Sequence, residues 1–164
     1  MPLENRLPAA IVLRPGPCVR RHRRMAMAIH LDHLIIASRN RVAAAKFVAE
    51  LLGVSWSEEG GIGPFSSVYV NAGLTLDFDE TIEPFPVGHF AFRVEPVEFD
   101  AILGRIKAVG ISYRSTPHGP VDMRINTQHG GSIVYWNEPD GHVWEILTVS
   151  YARQRNNNGS KGAA

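Results

Sequence analysis

Apolar residues recur along this chain with two periods, and the same succession of periods occurs twice. Residues 31–36 (LDHLII) read as a strand. A helix is expected over 40–52, because Ala44, Phe47, Val48, Leu51 and Leu52 fall at i, i+3, i+4, i+7 and i+8 and form one apolar face. Gly53 follows as the expected C′ residue, where a left-handed backbone costs glycine little. A strand from Val54 and two more near 65–71 and 74–79 complete the first half.

The second half repeats this order. Residues 87–94 (VGHFAFRV) read as a strand, and a helix over roughly 97–109 places Phe99, Ile102, Leu103, Ile106 and Val109 on one face before Gly110 closes it. Two strands are expected near 131–136 and 142–148, joined by the turn-rich Glu138-Pro139-Asp140-Gly141. His33 precedes its glycine by 20 residues and His89 by 21, so the halves keep step. The first half reads β-α-β-β-β and the repeat implies the same for the second, which predicts an α+β fold of two βαβββ modules, 29–80 and 86–151. Their curved mixed sheets are expected to carry helices outside and to surround a cup.

Strand alternation then sorts the polar residues by face. Leu34 and Ile36 oppose His33, and Leu76 and Phe78 oppose Asp77. Phe90 and Phe92 oppose His89 and Arg93, while Trp144 and Ile146 oppose Glu145. His33 thus corresponds to His89, and Asp77 to Glu145. If a pseudo-two-fold axis relates the modules, the four side chains converge in the cup. A strand histidine also serves as a plain hydrogen-bonding residue. A carboxylate between Trp144 and Ile146 is different, because an unpaired buried charge costs several kcal/mol. A metal ion or Arg93 would be a suitable partner. Asp77 is shorter, and fits either a ligand or a solvent-facing group beside the ligands.

Composition narrows the class of protein. The chain has 164 residues, 45% of them hydrophobic and 20% charged, with a formal net charge of +1, so no concentrated basic balance points to nucleic acid. Cys18 is the only cysteine, which excludes an intramolecular disulfide and a Cys-rich zinc site. No apolar run approaches the roughly 20 residues of a spanning helix. These features predict a cytoplasmic protein with no membrane partner. Residues 1–28, with Pro2, Pro8, Pro15, Pro17 and the run Arg20 to Arg24, read as a disordered or extended leader or as an anionic-surface patch; the true start could be Met25 or Met27. Residues 152–164 read as a disordered tail.

The strings LDHLII, GHFAFRV and YWNEPDGHVWEIL, in this order, resemble the vicinal-oxygen-chelate superfamily. That superfamily includes glyoxalase I, extradiol dioxygenases, fosfomycin-resistance enzymes and bleomycin-binding proteins. The resemblance implies a metal site formed by His33, His89 and Glu145, with Glu145 also the catalytic candidate. Asp77 stands at the additional fourth-strand position, where Glu or Gln is more usual. It implies one divalent cation per site, Fe(II), Ni(II), Mn(II), Co(II) or Zn(II), with open positions for two oxygens of a small-molecule substrate. The function expected is that of a dioxygenase or a glyoxalase-like lyase or isomerase. A metal-free protein that binds a small ligand or antibiotic in the same cup, as in bleomycin resistance, is the alternative.

Other residues are candidates for substrate contact. Arg93 shares the His89 face, Tyr135 is either a donor or a packing residue, and His129 lies in the irregular stretch 115–130 with His118 and Arg124. That stretch reads as a lid or a mobile surface loop. His142, beside a turn, is expected to be exposed. Open sheet edges predict a two-fold homodimer.

Overall fold

The computed structural model describes residues 29–151; the expectations for the leader, Cys18 and the tail lie outside them. The elements are β1 (His33–Ser38), α1 (Arg41–Leu52), β2 (Ser55–Ser57), β3 (Ser66–Asn71), β4 (Leu74–Glu80), β5 (His89–Arg93), α2 (Pro96–Ala108), β6 (Tyr113–Arg114), β7 (Ile133–Asn137) and β8 (Val143–Leu147). They form two four-stranded sheets, ordered β1-β4-β3-β2 and β5-β8-β7-β6. In each, the first strand runs parallel to the fourth and the remaining pairs are antiparallel. The fold is therefore α+β, two βαβββ modules with open sheets. The repeat extends to register: Ile35 faces Asp77 across β1 and β4, and Ala91 faces Glu145 across β5 and β8. Each histidine thus lies two residues before the residue opposite its module's carboxylate.

Local signals start and stop the helices. The Asn40 side chain accepts the Ala43 N–H at 2.9 Å and caps α1, which ends at Gly53 with φ 75°. In front of α2, the Glu98 carboxylate accepts the Glu95 N–H at 2.9 Å, and Pro96 fills the first turn. Phe99, Ile102, Leu103 and Ile106 are buried as the helical period predicts. Val109 is not: it caps α2 with φ −93° and ψ 4°, leaves the helical face and stays 64% exposed.

One continuous core joins the modules, running from Ile36, Val48, Leu76 and Phe78 to Phe99, Ile106, Trp144 and Ile146. Phe78 and Trp144 stack across it with ring centroids 6.4 Å apart. Arg105 of α2 donates to the carbonyls of Leu51 (2.7 Å) and Leu52 (3.0 Å), satisfying acceptors that the end of α1 leaves without helical partners. Glycine suits Gly53 for its φ, and a Cβ there would lie 2.7 Å from the Arg105 guanidinium and displace it from these carbonyls.

His142 is a second tie between the modules, and here the sequence expectation is corrected. The residue is 3% exposed, because it shares strand parity with Trp144 and Ile146 and so faces the core. Its Nδ1 accepts the Gly88 N–H at 2.8 Å, which leaves Nε2–H to donate to the Ala37 carbonyl at 2.8 Å. Beside it, the Asp140 carboxylate accepts Ser38 Oγ at 2.6 Å and the Arg39 N–H at 3.1 Å. Among the described residues, no helix is long and apolar enough to cross a membrane.

Candidate metal centre in two halves

Glu145 is carried into the interior by its neighbours. Trp144 and Ile146 are fully buried in the core, and alternation turns Glu145 to the other face of β8, where it too is fully buried. Its Oε2 lies 2.9 Å from His89 Nε2 and accepts Tyr151 Oη at 3.3 Å. Its Oε1 is buried without a hydrogen-bond partner. Tyr135, directly across from Glu145 on β7, meets the His89 ring edge-on at 6.0 Å. Burial, and then the Glu145 charge, push the Tyr135 phenol well above its ordinary pKa. Ile133, Leu147 and Val143 form a small apolar cluster with Tyr135 on this side. A carboxylate oxygen left bare in such surroundings is costly unless something positive meets it.

The other module presents a matching, more open pair. His33 Nδ1 lies 2.9 Å from Asp32 Oδ2, so Nδ1–H donates to the carboxylate and Nε2 keeps its lone pair. This hydrogen bond, with the Asp77 charge acting in the same direction, raises the His33 pKa above its usual value. Ser67 Oγ donates to Asp77 Oδ1 at 2.5 Å. His33, Asp77, Ser67 and Thr75 border a cavity of about 410 Å³ whose apolar side is Ile62, Phe65 and Tyr69. A larger cavity of about 520 Å³ lies between the modules, near Leu52, Arg93 and Arg105, and contains none of the four candidate ligands.

The structure thus brings the candidates together two by two: His33 with Asp77, and His89 with Glu145. Among the described residues, no three His, Cys, Asp or Glu side chains are grouped to hold one cation. Arg93 is exposed on the His89 side of β5 and makes no ion pair with Asp77 or Glu145. His129 packs on the Tyr151 ring at 5.5 Å, whereas His118 and Arg124 are exposed. The 115–130 stretch is internally braced. Asp122 accepts from Ser115 Oγ and the Arg124 N–H, and Asn126 exchanges both backbone bonds with Ile133 at 2.9 Å. Asp32 and Tyr151 are site residues that the sequence reading missed. Tyr151 lies past the bend that ends β8, so strand alternation gave no signal for it.

No family model matches the chain, and no curated protein matches it. Solved structures do, and with them the fold and repeat identify the class: the chain belongs to the vicinal-oxygen-chelate superfamily. Oxidase ChaP-H1 is 40% identical, the match covering 76% of this chain and 98% of that one with a TM-score of 0.70. Oxidase ChaP-H2 is 34% identical over 83% of this chain and 100% of that one, with a TM-score of 0.71. A glyoxalase/dioxygenase from Nostoc punctiforme shares the fold at 20% identity, covering 71% of this chain and 88% of that one with a TM-score of 0.54.

Proposed function

We propose that the chain is a divalent-metal enzyme of the oxygenase type, acting on a small oxygenated organic substrate, with His33, His89 and Glu145 as ligands. The observation that carries this is Glu145: fully buried, one oxygen unpartnered, the other 2.9 Å from His89 Nε2. Two donors each about 2.1 Å from a shared cation stand about 3 Å apart when bound at right angles, so the His89–Glu145 spacing fits a metal. Two neutral imidazoles and one carboxylate are also the donor set of non-haem Fe(II) oxygenases. Bound there, the cation would supply a positive centre for substrate oxygens and, as iron, redox chemistry with dioxygen.

The protein residues divide the remaining work. Asp32 holds the His33 ring with Nε2 free, and Ser67 occupies one oxygen of Asp77, which favours Asp77 as a supporting group over a fourth ligand. Arg93, exposed on the His89 side of its strand, offers positive charge to an anionic substrate oxygen. Tyr135 and the apolar cluster around it keep water from Glu145. The oxidase names of the two most similar structures reported above favour oxygen chemistry over the lyase or isomerase reading.

We propose further that each centre is completed by a second copy, whose His89–Glu145 pair faces the open His33–Asp77 cavity. Leu31, Ile35 and Tyr69 leave apolar surface exposed beside that cavity, as suits a face covered in a homodimer. The test is metal analysis of protein purified without chelator and reconstituted anaerobically with Fe(II). One tightly held ion per chain in wild type, and none in Glu145→Ala, is expected. Wild type that retains no divalent metal would leave a ligand-binding protein as the better reading.

A further inference from the structure

We propose that Tyr151 is a positioning residue for Glu145, and that its ring ties the 115–130 loop to that carboxylate; this rests on the metal reading above. Tyr151 follows the bend in the chain that ends β8, and its side chain returns to Glu145. Its hydroxyl donates to Oε2 at 3.3 Å, on the oxygen already engaged by His89, while Oε1 has no partner. Two contacts on one oxygen fix the rotation of the carboxyl plane and hold Oε2 at the spacing from His89 Nε2 that suits a shared cation. A ligand held at a set orientation binds a cation without first losing torsional freedom.

Three observations separate this from incidental packing. Tyr135 stands directly across from Glu145 on β7 while the Tyr151 hydroxyl donates to it, so the carboxylate is flanked by two tyrosines. The Tyr151 ring lies on His129 with centroids 5.5 Å apart at 38°, where the loop turns back into β7. Among the described residues, the first module shows no such device. Six residues beyond Asp77 stands Glu83, whose carbonyl accepts from Arg39, and Asp77 is held by Ser67 alone. The arrangement therefore belongs to the half whose carboxylate is fully buried.

The experiment is titration of metal-free protein with Co(II), whose visible absorption reports the ligand field, for wild type, Tyr151→Phe and His129→Ala. Tyr151→Phe keeps the ring against His129 and removes only the hydroxyl. It should bind Co(II) about tenfold more weakly, the low end for loss of a group that orients a ligand. Its absorption band should shift, and its metal-free melting temperature should stay within about 2 °C of wild type, since a single long, half-buried hydrogen bond is lost. His129→Ala should keep the band position and lose less affinity than Tyr151→Phe. Wild-type affinity and spectrum in Tyr151→Phe would overturn the inference while leaving the metal reading intact. So would a metal-free melting temperature lower by more than about 5 °C, which would make the hydroxyl structural. Absence of Co(II) binding by wild type would overturn the metal reading itself.

Discussion

Ser67 Oγ donates to Asp77 Oδ1 at 2.5 Å from the cross-strand position that Tyr135 holds towards Glu145 in the other module. The two carboxylates are thus equivalent by register and unequal by environment. Asp77 has one oxygen satisfied and lies at the wall of an open cavity, whereas Glu145 is fully buried with one oxygen bare. A cation gains most from the second, because removing Glu145 removes the charge that its binding would neutralise. Glu145→Ala and His89→Ala are therefore expected to abolish tight metal binding. Asp77→Ala should weaken it about tenfold or less, as for a group beside the ligands. Calorimetric titration with Co(II) or Zn(II) ranks the three, and equal losses would promote Asp77 to a ligand.

Stability should depend on the ties between modules. His142→Ala removes a buried ring and leaves the Gly88 N–H and the Ala37 carbonyl without their partner. An unsatisfied buried group costs about 1–3 kcal/mol and the cavity adds to it, so a loss of about 3 kcal/mol is expected. Gly53→Ala should cost about 1–3 kcal/mol, from strain at φ 75° and the 2.7 Å approach to Arg105. Urea unfolding of each variant measures both, and a change below about 0.5 kcal/mol in either would remove that tie from the account.

The fold was legible because its two periods are strong and repeated. The faces of α1 and α2, the glycines that end them and the opposition of Glu145 to Trp144 all follow from spacing. His142 misled because a turn neighbour reads as exposed, although its parity with Trp144 marked it for the core. Tyr151 lay beyond the last expected strand and past a bend in the chain, so strand alternation could not have found it. Spacing also assigns residues to faces without saying whether two faces meet in one chain. That is why His33 and Glu145, on corresponding faces, did not reveal their separation.

Reaction type can be tested through the metal. A two-His-one-carboxylate centre doing oxygen chemistry should require Fe(II) and dissolved oxygen, and Zn(II) should occupy it without supporting turnover, since zinc has no redox chemistry. A Lewis-acid lyase or isomerase would run without air on Ni(II), Mn(II) or Zn(II). Oxygen uptake with catechols is expected from the iron form only. Turnover of the methylglyoxal–glutathione hemithioacetal under nitrogen would reverse the assignment.

Mixing variants tests where each centre is built. Let one chain carry His33→Ala and the other Glu145→Ala. If every centre joins His33 of one copy to His89 and Glu145 of its partner, a heterodimer has one doubly damaged centre and one intact. If each centre closes within a single chain, both remain damaged, because each chain carries one lesion. The separation of the His33–Asp77 and His89–Glu145 pairs among the described residues predicts the first outcome. Subunits exchanged at low concentration and reassembled should recover tight Co(II) binding at one centre per heterodimer, about a quarter of the wild-type total for random pairing of equal amounts. Neither variant alone should bind tightly. No recovery, from a mixture that native mass spectrometry shows to contain the heterodimer, would return the centre to a single chain.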